Sequence, residues 1–195
     1  MADPPDRTQA TNAREGGSAN DVFLSKPWEI WSIPGGTARH HREAFLLLPD
    51  EAASFKVADI SVYAADGSDV RVDYVSVDLG SNSQSRESIS VSVYRAPGSL
   101  DGEWASVLDH VKRKHPGSRP TDPFPLPDKH PPETKQAAMV DSARSGDSVG
   151  GTFVQVSLFH TNGWAVRYEI SCPLADVAIA RTKTRAFLEY LRERD

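Results

Sequence analysis

The densest run of side chains that could do chemistry lies between Trp31 and Arg42. Pro34-Gly35-Gly36-Thr37 is turn chemistry, and Arg39-His40-His41-Arg42 follows it directly. A glycine turn leading into a cationic helix start offers free backbone N–H groups and two guanidinium forks, the donor set that holds an anion. Arg39 and Arg42 carry fixed charge, whereas His40 and His41 add charge only when protonated. The plainer reading of the same residues is a turn followed by a solvated basic patch. Trp28 and Trp31 precede the run. Three apart on a strand, they face opposite sides, so one of them is left over from the core, and an exposed Trp is a common anchor for partners. The candidate partner-binding set is therefore Arg39, His40, His41, Arg42 and Trp31. An acidic protein or a small anionic ligand is the partner it would suit.

Other reactive patterns are missing or weak. There is no GxSxG nucleophile elbow, and no GxxxxGK[ST], GxGxxG or HExxH. His110 and His115 are five apart and do not share a helix face as i,i+4 ligands would, and His130 sits among prolines. Cys172 stands between Ser171 and Pro173 at an expected strand-to-helix junction. A thiol at a helix N-terminus can be reactive, but a free Cys more commonly acts as a small buried hydrophobe. No catalytic, cofactor-binding or metal-binding residue is assigned from the sequence, and no cofactor is expected.

Composition narrows the classes further. The chain has 195 residues, the length of one generous domain, with 38% hydrophobic and 25% charged residues. One cysteine excludes an intramolecular disulfide framework and a cysteine-based zinc site. No apolar run approaches the ~18 residues of a membrane-spanning helix. The net charge of -5 argues against non-specific nucleic-acid binding, which needs a basic face. A monomer is expected.

Residues 1–25 hold no large apolar side chain between Met1 and Val22 and read as a disordered tail. No basic start followed by an apolar run is present, so the chain reads as cytoplasmic as it stands. The alternative is a periplasmic or secreted protein whose mature N-terminus is Ala-Asp-Pro-Pro. Residues 26–195 read as one α+β domain with a Pro-rich irregular insertion at 116–150. Seven of the 14 prolines fall between Pro116 and Pro132, where no helix or central strand fits. Pro123-Phe124-Pro125-Leu126-Pro127 resembles a polyproline II ligand, or serves as a stiff surface connection with Phe124 and Leu126 packed on the domain.

Within the domain, Ile60, Val62 and Ala64 alternate with Asp59, Ser61 and Tyr63, then Val70, Val72 and Tyr74 with Asp69, Arg71 and Asp73. The period is two, that of a strand with one face inward. After Tyr74 the apolar set becomes Val75, Val77 and Leu79, a flip that predicts a bulge or a strand passing between two packed layers. Ile89, Val91 and Val93 complete an antiparallel meander. Leu100, Trp104, Val107, Leu108 and Val111 form a helical stripe with Ser99 as N-cap, stopped by Pro116-Gly117. Val154, Val156 and Leu158 lead through Asn162-Gly163 to Trp164, Val166, Tyr168 and Ile170, with Arg167 and Glu169 facing outward. A last helix spans Leu174 to Arg192. Antiparallel strands with helices on one face give an α+β class.

Leu48, Pro49, Phe55, Tyr63, Tyr74, Tyr94, Gly163, Trp164 and Arg167 carry a resemblance. Over roughly residues 45–192, with an interruption at 116–150, the chain resembles small, mostly uncharacterised bacterial proteins with a Leu-Pro, Phe, Tyr β meander and a Gly-Trp hairpin. Its layout is also similar to the Mog1/PsbP-like fold. The resemblance implies a binding or accessory protein and carries no catalytic residue. Three functions follow as expectations: a non-enzymatic binding or accessory domain; an interaction module such as an inhibitor or immunity protein, using the basic patch or the Pro-rich segment; and an enzyme whose site assembles only in space.

The Asn162-Gly163 turn yields the first test. A type I′ turn needs positive φ at both central residues, so Gly163→Val should destabilise the fold by about 1–3 kcal/mol. Denaturant unfolding measures this, and an unchanged midpoint would mean a different turn.

Overall fold

The computed structural model describes residues 30–32, 38–77, 87–128, 130–142 and 150–191. The tail expected over residues 1–25, Trp28, the Pro34–Thr37 turn and most of the Ser142–Gly151 loop lie outside the described residues. A small antiparallel sheet holds β1 (Trp31–Ser32), β2 (Ala38–His41) and β3 (Leu46–Pro49) in that order. The main sheet contains β4 (Glu51–Ala52), β5 (Phe55–Val62), β6 (Asp69–Ser76), β7 (Ser88–Arg95), β8 (Arg119–Thr121), β9 (Lys135–Asp141), β10 (Thr152–Thr161) and β11 (Trp164–Pro173). Its spatial order is β4-β5-β6-β7-β11-β10-β9-β8, and every pairing in it is antiparallel. The helices are α1 (Leu100–Lys114) and α2 (Val177–Tyr190). The α+β class read from the sequence therefore holds.

Strand alternation sorts the main sheet into two unlike faces. Val70, Val72 and Tyr74 of β6 are buried, as are Ile89, Val91 and Val93 of β7, and Trp164, Val166, Tyr168, Ile170 and Cys172 of β11. They share one core cluster with Phe55, Phe153, Phe159 and the α2 residues Ala180, Phe187 and Leu188. Phe187 meets Tyr74 and Phe55 edge-on, with ring centroids 4.7 and 5.4 Å away. The small sheet packs at the end of α2, where the Leu47 amide donates to the Leu191 carbonyl. Val154, Val156, Leu158, Met139 and Ala165 point the other way and form a second cluster with Val107 and Val111 of α1.

The two helices therefore lie on opposite faces, not on the one face expected. The cause is β10, whose residues from Phe153 to Phe159 are all buried. An apolar strand buried on both sides needs a cover on each.

Two further expectations are corrected. The phase flip after Tyr74 is absent: β6 keeps its alternation to its end, and Val75 sits opposite Lys56 and Ser88. The irregularity lies in β5, between Val57 and Asp59. The stretch 116–150 is not wholly irregular. Lys135–Asp141 follows the last proline and pairs with β10 from Lys135↔Leu158 to Asp141↔Thr152. Pro120 lies in β8, the outermost strand, where a missing N–H breaks no central ladder.

The Pro-rich connection between β8 and β9 docks by a different device. Phe124 is buried and stacks on Phe153 at 4.3 Å. The buried Gln155 side chain satisfies its peptide groups, accepting from the Phe124 amide at 2.6 Å and donating to its carbonyl at 3.2 Å. That is the packed-connection reading of this segment.

The helix termini follow their sequence signals. Ser99 accepts a hydrogen bond from the Gly102 amide at 3.2 Å, with Asp101 and Glu103 in the first turn of α1 and Lys112, Arg113 and Lys114 in the last. Gly117, at φ 99°, turns the chain after it. The helix expected from Leu174 begins at Val177, after a 3₁₀ turn over Leu174–Asp176.

Asn162 and Gly163 have φ of 48° and 80°, and Thr161 pairs with Trp164 across them, as a type I′ turn requires. The β4–β5 hairpin uses the same geometry without the favoured residues: Ala53 and Ser54 stand at φ 47° and 70°. Left-handed backbone costs an ordinary residue roughly 1–2 kcal/mol, and glycine adopts it without steric cost. Ser54→Gly should therefore raise stability by about 0.5–1 kcal/mol, a rise in Tm of roughly 1–4 °C. Calorimetry of the two proteins checks it, and a lower Tm would show that the Ser54 side chain outweighs its backbone strain.

Candidate functional site

The cationic run Arg39–Arg42 is divided between a strand and the turn after it. It is not a helix start, because Ala38–His41 forms β2, paired to β3 through Arg39↔Leu48 and His41↔Leu46 and to β1 through Trp31↔His41. A strand sends alternate side chains to opposite sides, so the four cationic residues cannot make one patch. Arg39 is fully buried and donates to the Leu48 carbonyl at 3.4 Å and to the Asp50 carboxylate. His41 is fully buried edge-on between Trp31 and Trp164, at centroid distances of 4.6 and 4.2 Å.

The Nδ1 of His41 accepts from the Ala44 amide at 3.1 Å, so the neutral ring carries its proton on Nε2. Burial, only partly opposed by the Glu43 charge, lowers its pKa to about 4. Trp31 is buried too, with its indole N–H donated to the Gly67 carbonyl at 3.0 Å. Trp164 donates to Glu43 at 2.7 Å, and the Arg95 guanidinium lies 4.0 Å over its ring. Of the five residues named from the sequence, Arg42 remains exposed and His40 half-buried; the other three hold the small sheet against the main one.

The remaining candidates separate. Cys172 is buried at the end of β11, and burial pushes its thiol up to about 12, a small hydrophobe in effect. His115 faces Asp141 at 3.2 Å, His160 faces Glu103, and His130 packs edge-on against Phe159 and Tyr168. Among the described residues, no three His, Cys, Asp or Glu side chains come together as metal ligands would.

What the fold does assemble is the face of the main sheet beside α1. The helix lies over the β9–β11 side, and the same face of β5, β6 and most of β7 has no helix over it among the described residues. Two brackets hold α1 there. At its first turn the nearly buried Glu103 carboxylate accepts from the Tyr94 hydroxyl and engages His160 Nε2 at 2.8 Å. At its last turn Lys114 reaches Glu169 at 2.6 Å. A helix with its side chains is about 10–12 Å across, so its flank and the bare strands make an inside corner.

Register dictates what lines that corner. Ser61, Arg71, Ser92 and Arg167 form one row across β5, β6, β7 and β11. Asp59, Asp73, Ser90 and Glu169 form the next. In both rows β7 contributes a serine, so the floor is low in the middle and long side chains rise on either side.

Arg71 of the first row is tied to the second. Ser90 donates to Asp73 and accepts from Arg71 at 2.9 Å, and Arg71 Nε donates to Asp73 at 2.8 Å. Burial would lower the Arg71 pKa, but the charge and hydrogen bond of Asp73 raise it instead. Burial likewise pushes the Glu169 carboxyl up, yet the Lys114 hydrogen bond and charge, with Arg167 and Arg71, hold it below its ordinary value. His110 stands on the α1 flank, its pKa lowered by burial and then by Arg167.

Arg167 is the exception. It is half-buried, and among the described residues its guanidinium makes no hydrogen bond or ion pair. The sequence marked Arg167, Glu169, Arg71 and Asp73 as outward-facing, but outward there meant only solvent. Which strands are neighbours, the one signal that would have grouped them, is not written in any single strand.

One other concave surface lies between Pro125 and the outer side of α2, lined by Arg181, Thr182, Arg185, Ala186 and Glu189. Its cations are engaged, Arg185 by Glu189 at 3.3 Å and Arg181 over the Phe124 ring at 5.5 Å. No protein-family model, no curated protein and no solved structure matches the chain.

The burial of His41 carries a pH signature. The unfolded chain takes up its proton near pH 6.5, while the folded one resists until about pH 4. Stability from this group is therefore full above 6.5 and is lost as pH falls toward 4, by ~3 kcal/mol in all. In a Tm series from pH 7.5 to 4.5, His41→Phe should show a visibly shallower acid slope than wild type. Parallel slopes would mean that His41 takes up its proton in the folded state.

Proposed function

We propose that the chain is a non-enzymatic binding or accessory domain whose ligand seats in the corner between α1 and the bare strands β5–β7. The observation that carries this is Arg167, a half-buried cation that makes no hydrogen bond or ion pair among the described residues, beside a serine floor, in a corner where the neighbouring charges are tied to one another. Half-burying an unpaired charge disfavours the folded state. Such a group persists most readily where something else completes it. The rigid setting supports the same reading, since the lining side chains stand on strands and a helix bracketed at both ends, and rigid elements hold a recognition geometry better than loops do.

An antiparallel sheet with packed helices is also what a Mog1/PsbP-like layout calls for, and we include that relationship in the proposal. A partner surface built on Arg39, His41 and Trp31 is disfavoured by their burial. A binding domain fits the corner better than an enzyme does, because Ser90 is tied into the Arg71–Asp73 triangle and, among the described residues, neither Ser90 nor Ser92 is hydrogen-bonded to a histidine.

A ligand screen with isotope-labelled protein tests the proposal. Bound compounds should shift the amide resonances of Ser61, Arg71, Ser90, Ser92, Arg167 and Glu169. Ser92→Leu, which raises the floor between the two arginines, should abolish those shifts while the Tm stays within a few degrees. Shifts confined to the α2 side, or unaffected by Ser92→Leu in a folded protein, would overturn it.

A further inference from the structure

We infer that the corner recognises a tetrahedral oxyanion, a phosphate or sulfate group, gripped between Arg71 and Arg167 above Ser92; this rests on the corner being the binding site. The two arginines sit opposite the same residue. Arg71 pairs with Ser92 on one side of β7, and Arg167 pairs with Ser92 on the other. Two strand spacings put their backbones about 10 Å apart, and both side chains rise from the same face of the sheet. The gap between them is floored by the smallest hydroxyl side chain, and Ser92 is nearly buried in it, at 3% exposure.

The donors left over after the internal pairing define the ligand. Arg71 spends Nε on Asp73 and one Nη on Ser90, which leaves its other Nη. Arg167 has its whole guanidinium fork. The Ser92 hydroxyl makes no side-chain hydrogen bond among the described residues. Donors therefore approach from two flanks and from beneath, and an oxyanion with oxygens in three directions meets them all. A planar carboxylate satisfies one fork and leaves the opposite flank unused.

The charges around the gap balance, with Arg71, Lys114 and Arg167 set against Asp59, Asp73 and Glu169. Arg71 and Lys114 each hold a carboxylate directly, so among the described residues Arg167 is the cation of the three whose hydrogen-bond donors all remain for a ligand. The acidic row lies two residues along the strands from the basic row, roughly 7 Å away. It holds the Arg71 guanidinium through Asp73 and Ser90.

Inorganic phosphate, sulfate and acetate are the probes, titrated at one ionic strength set with chloride so that general screening is constant. In wild type, phosphate and sulfate should shift the Arg71 and Arg167 Nε–Hε signals and the Ser92 amide, with acetate clearly weaker. Arg167→Gln should weaken phosphate about tenfold or more, and Arg71→Gln should weaken it too. Arg185→Gln, on the α2 side, should leave it unchanged. Because Arg71 is tied to Asp73, Arg71→Gln could perturb the fold, and Arg167→Gln, which breaks no hydrogen bond, keeps the test decisive. Phosphate binding that survives Arg167→Gln, or that Arg185→Gln abolishes, would overturn the inference, and so would acetate matching phosphate. Compounds that bind the corner with no dependence on Arg167 would overturn the oxyanion and leave the binding domain standing; phosphate shifts that appear only outside the corner would sink both.

Discussion

Both faces of the main sheet are set by the register of one strand, β11. It lies between β7 and β10, and each of its residues from Trp164 to Ser171 is matched to a partner on both sides. Two positive φ angles at Asn162 and Gly163 set the pairing at one end, since Thr161 and Trp164 must face each other across a two-residue turn. A slip of one residue would carry Trp164, Val166, Tyr168 and Ile170 to the polar face, and Arg167 and Glu169 into the core. The aromatic core against α2 and the charged rows beside α1 are thus two consequences of one register.

The dry face tolerates several polar groups, each with a different resolution. Arg39 is buried with its guanidinium on the Leu48 carbonyl and the Asp50 carboxylate, a pairing that keeps a buried charge from being prohibitive. His41 stays neutral between two tryptophans. The hydroxyls of Tyr74 and Thr184 are buried with no hydrogen-bond partner among the described residues, and burial pushes the Tyr74 phenol upward. An unsatisfied hydroxyl costs about 1–3 kcal/mol. Tyr74 offsets much of that through its ring, which sits against Phe187 in the middle of the cluster.

The face beside α1 is governed by electrostatics instead of packing. Rows of like residues alternate in sign along the strands, cationic at Arg71 and Arg167, anionic at Asp59, Asp73 and Glu169. Opposite charges two residues apart on one strand share a face, so strand geometry alone interleaves them. The alternation lets a chain of net charge -5 present a cationic spot without a cationic surface. α1 sharpens the effect. Its flank excludes water from one side of the corner, and charges half removed from water act over longer range than exposed ones.

Much of this was legible in the residues. Period-two patterns located β5, β6, β7, β10 and β11, the apolar stripe and Ser99 located α1, and Asn162-Gly163 located the hairpin, because each signal is confined to a few consecutive residues. β9 was missed because Ala137 and Ala138 carry little strand character and the prolines before them dominate the local composition. The basic run was misjudged because sequence proximity stood in for surface proximity: a strand divided Arg39 and His41 from His40 and Arg42. The outward direction of Arg71, Asp73, Ser92, Arg167 and Glu169 was determined by the sequence, through alternation within each strand. That they stand side by side was decided only by the tertiary structure. Alternation is a property of one strand, whereas the order β5-β6-β7-β11 and the seating of α1 arise from contacts between residues as far apart as Ser88 and Ser171.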